Sequence, residues 1–265
     1  MNRKPCAGKQ GIRNCLMNII EIENLGHRYN DGTLGLDNIN LTIKEGAFVV
    51  ICGQNGSGKS TLLRHLNGLL LPNTGTIRLA GIPVSQNLAR ARQIVGMVFQ
   101  DSDSQIVGET VYDDVAFGPE NLCLDRSQIK RRVSDALKAV GLTSLVHQRP
   151  HLLSGGEKRR LAIAGILAME PKVLVFDEPF SDLDYPGVQQ LLKQIFALHK
   201  SGHAILVATH DLEKVIDHAD HLVIMKDGKV VRDGLPEEVV KGVEAFGVRE
   251  PFDSRPGMEI KSWLN

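Results

Sequence analysis

The run GQNGSGKST, residues Gly53 to Thr61, constrains this chain more than any other stretch. It fits the pattern G-x-x-x-x-G-K-[ST], with Gly53, Gly58, Lys59 and Ser60 in the fixed places. It follows the apolar stretch AFVVIC and precedes a segment that reads as a helix from Lys59 to Leu70. A buried strand that turns into a helix through glycines belongs in an α/β sheet covered on both faces. Glycine lets the backbone fold around an anion, so that N–H groups from Gln54, Asn55, Gly56 and Ser57 through Ser60 and Thr61 can face inward. The helix adds the positive end of its dipole. In such a cradle Lys59 reaches the β and γ phosphates of a nucleotide, and Ser60 offers its hydroxyl to Mg2+.

A second apolar run, VLVFDEP, ends in two acids. A strand through the centre of the sheet brings Asp177 to its carboxyl end, where ligands of open α/β sheets sit. Asp177 then holds Mg2+, and Glu178 stands where it can polarise an attacking water. Between the two motifs the character changes. Strands are expected over Met17 to Tyr29, Leu41 to Gly46, Phe48 to Ile51, TIRLAG and IVGMVFQ, whereas 101–165 reads as a helical insert. Within it RSQIKRRVSDALKAVG reads as a helix with Ser127 as N-cap and Gly141 as C-cap. Strands return at Lys172 to Phe176 and Ala204 to Thr209, with an amphipathic helix from Val188 to Lys200 between them.

Composition narrows the function classes. Lys+Arg, 31, balance Asp+Glu, 31, so a broad electrostatic footprint for nucleic acid is not expected. Cys6, Cys15, Cys52 and Cys123 form no C-x-x-C pair, which points to a reducing compartment rather than a disulfide framework or zinc site. His147 with His151, and His218 with His221, have spacings a metal could use, but without a supporting cluster they read as solvated surface residues. No apolar run approaches the roughly 20 residues of a membrane helix. Residues 1–16 are basic and lack an apolar stretch, so they read as a flexible extension rather than a signal peptide. One α/β domain is expected over 17–242 and a C-terminal tail over 243–265.

A third stretch, LSGGEKRR, precedes the Asp-Glu strand. Serine and two glycines opening a helix make another amide-rich anion site. With all three stretches present the chain resembles, from about Ile19 to Val240, the nucleotide-binding subunit of ATP-binding cassette (ABC) proteins. The resemblance implies a phosphate-loop α/β core with a mixed sheet, an N-terminal antiparallel β part and an inserted helical subdomain. It also implies head-to-tail pairing with a second ATPase subunit, identical or related. Ser154, Gly155, Gly156 and Glu157 of one subunit then meet the γ phosphate bound by the other. Other family positions follow residue by residue: Tyr29 on adenine, Gln100 near Mg2+ and the water, His210 as the switch histidine, and Asp184 across the dimer seam. Phe180, Asp182 and Tyr185 depart from the family's usual Thr, small residue and Pro.

The stretch QDSDSQIVGETVYDDVAFGPENL narrows the resemblance to energy-coupling factor and cobalt or nickel uptake ATPases. Asp101 and Ser102 replace that group's Asn and Pro, while Asp103 and Gln105 are kept. In such importers a polytopic membrane scaffold inserts helices into grooves beside the Gln100 loop, and a separate membrane subunit captures a vitamin or metal ion. The chain would then sit on the cytoplasmic face of the membrane, with ATP and Mg2+ as its ligands. A soluble cassette ATPase in iron–sulfur assembly or nucleic-acid maintenance would keep every ATP motif. A phosphate-loop kinase would have no use for LSGGE.

Overall fold

The structure is a computed structural model in which residues 17–251 are described; the expected extension at 1–16 and the last part of the tail, 252–265, lie outside them. In order the elements are β1 (Asn18–Arg28), β2 (Leu34–Lys44), β3 (Phe48–Cys52), α1 (Lys59–Leu66), β4 (Thr74–Leu79), β5 (Ile82–Pro83), α2 (Leu88–Ile94) and β6 (Val95–Val98). They continue as α3 (Val111–Asn121), α4 (Arg126–Ala139), α5 (Gly155–Leu167), β7 (Val173–Asp177), α6 (Tyr185–Lys200), β8 (Ala204–Thr209), β9 (His221–Lys226), β10 (Lys229–Gly234) and α7 (Pro236–Val239).

Two sheets result. A four-stranded antiparallel sheet has the order β2-β1-β4-β5, and a six-stranded sheet has the order β10-β9-β3-β8-β7-β6. In the larger sheet β9, β3, β8, β7 and β6 run parallel, and only β10 is antiparallel. Its central strands are apolar throughout because both faces are covered. Alternate side chains therefore enter different cores. Phe48, Val50, Cys52, Leu174 and Phe176 join the layer under α3, α4, α5 and α6. Val49, Ile51, Val173 and Val175 join the layer shared with α1 and the antiparallel sheet. This placement brings the carboxyl ends of β3, β7 and β8 to one edge, directly before Gly53, Glu178 and His210.

The helical insert is started by side-chain caps. Thr110 with Asp113, Asp125 with Gln128, and Ser154 with Glu157 form reciprocal capping boxes at the starts of α3, α4 and α5. The expected cap Ser127 is therefore corrected to Asp125, whose carboxylate accepts from both Ser127 N and Gln128 N. Gly141, left-handed at φ 70, follows the capping residue Val140. Helix α1 stops at Leu66, short of the expected Leu70, because Asn67 caps it and Gly68 turns left-handed at φ 70.

The hairpin β9–β10 was absent from the sequence-based expectation. Its turn, Asp227-Gly228, is left-handed at both residues, φ 49 and 77, and this is the dipeptide that favours a tight hairpin. In the described part of the tail, Val243 and Val248 are buried in the core. His218 lies with its ring centroid 3.9 Å from that of Phe196, so it is a packed residue rather than a solvated one.

Candidate functional site

The loop after β3 has the glycines its path requires. A Cβ at Gly53 would lie 2.3 Å from Met225 O and 2.6 Å from Ser57 Oγ, and one at Gly58, at φ 101, would lie 2.8 Å from Gly35 O. Gly56 is also left-handed, φ 81, with open space beside it. The loop is thereby pressed against the sheet edge while its other side stays free. Cys52, the last residue of β3, is sealed beneath it, and burial pushes its thiol up to about 12.

Lys59 and Glu178 form the centre of the site. Lys59 is 5% exposed and Glu178 8%. Lys59 Nζ donates to Gly53 O at 2.7 Å and Gln54 O at 3.2 Å, and lies 3.4 Å from Glu178 Oε1. His210 Nδ1 is 3.0 Å from Glu178 Oε2. A carboxylate oxygen can only accept, so Nδ1 carries the proton there. Glu178 itself takes φ 46, a left-handed conformation uncommon for a residue with a side chain. Its N–H bonds Ala208 O at 2.8 Å, which fixes it to the end of β8.

Beside this network Ser60 Oγ donates to Asp177 Oδ1 at 3.0 Å. Burial raises the Asp177 carboxyl above its ordinary value, and the Ser60 bond opposes that shift. Ser60, Asp177 and Gln100 line one cleft of about 1220 Å3, whose other wall includes Gly155, Gly156, Arg159, Asp182 and Asp184. A hydroxyl, a carboxylate and an amide oxygen are the hard donors Mg2+ takes, so the residues present fit that ion. Among the described residues no group of three or more His, Cys, Asp and Glu could hold a metal.

At the other side of α1, Tyr29 OH is 2.8 Å from Thr61 Oγ1. The His27 ring meets Tyr29 edge-on at 4.8 Å and His65 at 4.7 Å. Gly35 leaves room for the Tyr29 ring, since a Cβ there would lie 2.9 Å from its Cε2. His65 Nδ1 is 2.7 Å from Thr61 O, and burial lowers its pKa.

The LSGGEKRR stretch, the signature of the resemblance, occupies the start of α5. Ser154 N and Oγ both donate to Glu157 Oε2 at 2.8 Å, which holds the Glu157 carboxyl below its usual range. Cβ atoms at Gly155 or Gly156 would meet nothing within 4 Å. Nothing among the described residues demands glycine at those two exposed positions. Asp184 Oδ1 accepts from Gly187 N at 3.0 Å and caps α6.

The three residues that depart from the family pattern have separate places. Phe180 is buried in the core, 4% exposed, with Lys214 Nζ 5.7 Å from its ring. Tyr185 is exposed and accepts from Gln189 Nε2 at 2.9 Å. Asp182 stands at φ 60 on the cleft. Sequence reasoning missed His27, His65 and Arg159. Only the burial of these polar side chains singles them out, and no local pattern encodes it.

The family model described as ABC transporter matches residues 36–181. The energy-coupling factor transporter ATP-binding protein EcfA of Methanocaldococcus jannaschii is 46% identical over 87% of this chain and 84% of that protein. EcfA1 of Clostridium novyi is 44% identical over 85% and 83%. Among solved structures, cbiO1 of Clostridium perfringens, described as part of the ABC transporter complex cbiONQ, is 41% identical, with a TM-score of 0.78, over 86% of this chain and 92% of that one. MJ0796, described as a dimeric bacterial ABC transporter cassette, is 28% identical with a TM-score of 0.73 over 82% and 98%. Sequence, fold and the arrangement around Lys59 agree: this chain belongs to the ABC transporter family, as one of its ATP-binding, ATP-hydrolysing cassettes.

Proposed function

We propose that this chain is the ATPase subunit that energises an importer of the energy-coupling factor type, for a vitamin or a transition-metal ion, and that it works as a head-to-tail dimer with ATP at the interface. The observation that carries the reading is the buried Lys59–Glu178 pair, with the exposed His210 bonded to it, beside the Ser60–Asp177 pair. The names of the relatives, energy-coupling factor ATPases and a member of a cbiONQ complex, supply the transport class.

Before nucleotide binds, Lys59 neutralises Glu178. On binding, Tyr29 takes the adenine, the Gly53–Thr61 amides take the phosphates, and Lys59 turns from Glu178 to the γ phosphate. Ser60, Asp177 and Gln100 would hold Mg2+, which when bound neutralises phosphate charge. Freed of Lys59, Glu178 accepts a proton from a water whose oxygen attacks the γ phosphorus, and the bond to the β–γ bridging oxygen breaks. His210 Nδ1–H keeps the Glu178 carboxylate oriented. The partner subunit would place its own Ser154, Gly155 and Gly156 against the same γ phosphate. The open space beside both glycines suits that close approach.

The membrane partner would dock beside the Gln100 loop. A groove of about 470 Å3 is lined by Met97, Gln105, Val107, Asp114, Phe117 and Ile166, among others. Val107 and Phe117 are 62% and 53% exposed, a lining that suits the apolar face of a partner helix. Gln105 accepts from Phe99 N at 3.2 Å and donates to Met97 O at 3.0 Å, so one short loop joins the groove to Gln100. No helix among the described residues is long and apolar enough to cross a membrane. The chain is then peripheral, held on the cytoplasmic face by a polytopic scaffold, with substrate captured by a separate membrane subunit.

Sedimentation of the Glu178→Gln variant tests the dimer. With ATP and Mg2+ it is expected to sediment as a dimer holding two nucleotides, and Ser154→Arg in the same background is expected to return it to monomer. A monomer at saturating ATP in both would overturn the head-to-tail reading.

A further inference from the structure

Arg159 has no role in the mechanism above, yet its side chain is among the few buried charges of the chain, 8% exposed. It sits one turn into α5, and the backbone of another segment satisfies it. Nη1 donates to Pro179 O at 2.8 Å and Ser181 O at 3.2 Å, and Nη2 donates to Ser181 O at 3.2 Å. Pro179 to Ser181 is the turn that directly follows Glu178. Inside it Ser181 N and Oγ both donate to Glu178 O. Two residues flanking the turn, Glu178 at φ 46 and Asp182 at φ 60, hold left-handed backbone without being glycine. Such conformations persist only where the surroundings over-determine them. A guanidinium suits this task because its planar fork reaches two carbonyls at once, which a lysine ammonium cannot do with the same rigidity. Burial pushes the Arg159 guanidinium below its ordinary value, and the nearby Asp182 charge opposes that shift.

We infer that Arg159 is a positioning residue: it clamps the 179–181 turn, holds Glu178 in its left-handed conformation aimed at Lys59 and His210, and makes the signature helix α5 move as one body with that base. The inference rests on Glu178 being the base proposed above. Its consequence is specific to a head-to-tail dimer. The start of α5 would face the partner's nucleotide while Glu178 faces its own, so Arg159 carries closure at one site to the base of the other. ATP binding to Lys59 and the phosphate loop does not pass through the clamp.

The test is steady-state ATP hydrolysis by the full chain carrying Arg159→Met or Arg159→Lys, beside the parent and Glu178→Gln. Arg159→Met is expected to lower kcat by about tenfold or more while KM for ATP stays within about twofold, because a base displaced by a fraction of an ångström loses rate and not binding. Arg159→Lys, keeping the charge and at most one carbonyl bond, is expected to recover part of kcat. The Hill coefficient for ATP is expected to fall in Arg159→Met, a readout that loss of packing alone would not move. Parent-like kcat and cooperativity in Arg159→Met would overturn the clamp, and so would a loss confined to KM. If Arg159→Met does not fold, the same readouts on Arg159→Lys decide. Parent-like turnover by Glu178→Gln would overturn the base assignment, whereas an inactive Glu178→Gln beside an unaffected Arg159→Met would overturn the clamp alone.

Discussion

Replacing Glu178 by glutamine should change more than the rate. Lys59 and Glu178 are both nearly buried and lie 3.4 Å apart. Removing one charge of a buried pair typically costs 3–5 kcal/mol, because the other charge is left without compensation. Here glutamine can still accept from Lys59, and Lys59 keeps its bonds to Gly53 O and Gln54 O. A cost of about 2 kcal/mol is therefore expected for the nucleotide-free protein. For a domain of this size that lowers the melting temperature by about 4–8 °C. The γ phosphate compensates Lys59 equally in both proteins, so the penalty vanishes in the bound state and reappears as affinity. Glu178→Gln should bind a non-hydrolysable ATP analogue about thirtyfold tighter than the parent. It should also be stabilised more by saturating analogue. Thermal unfolding with and without analogue, together with a direct titration, measures both quantities. Equal melting temperatures and equal affinities would refute the idea that Lys59 is taken from Glu178 by phosphate.

Three further substitutions probe separate features. Tyr29→Ala should weaken ATP by about tenfold, as expected for one lost base–aromatic stack, and leave tripolyphosphate affinity unchanged; equal losses for both ligands would contradict the adenine assignment. Asp114, whose carboxyl is raised by burial despite bonds from Val107 N and Gly108 N, costs stability at neutral pH, and that cost fades as pH falls through its raised pKa towards the ordinary carboxylate value. Asp114→Asn keeps an acceptor for both N–H groups, so denaturant unfolding should find it at least as stable as the parent at neutral pH, with the difference shrinking on acidification; a difference that grows on acidification would reverse the sign. Gly96→Ala would place a Cβ 2.3 Å from Ile166 Cγ2 and push β6 from α5, so urea unfolding should show a loss of about 1–3 kcal/mol, the usual cost of overpacking; an unchanged midpoint would contradict the packing.

The phosphate loop was legible because its requirements are local: Gly53 and Gly58 are needed by the path of the chain itself, and Lys59 and Ser60 follow at fixed spacing. Asp177 and Glu178 were legible because a buried parallel strand must end at the sheet's carboxyl edge. Local ambiguity explains the smaller errors. Asp125 and Ser127 can both cap a helix, and the choice between them depends on the Gln128 side chain that completes the box. Hairpin β9–β10 could have been found from Asp227-Gly228. Its pairing with β3 joins segments far apart in sequence and leaves no periodic mark. Arg159 was illegible for the same reason. In sequence it is one of several charges after LSGGE, and only the turn folded after β7 shows why this one is buried.

The central claim is that ATP hydrolysis here drives a membrane importer, and its most direct test is mass spectrometry of what co-purifies with the full chain from gently solubilised membranes of its own host, beside a Phe117→Arg groove variant. The expected result is a polytopic scaffold protein and a small membrane-embedded binding protein, retained by the parent and lost by the variant. Only soluble partners, bound equally by both, would contradict it and assign the same ATP chemistry to work away from the membrane.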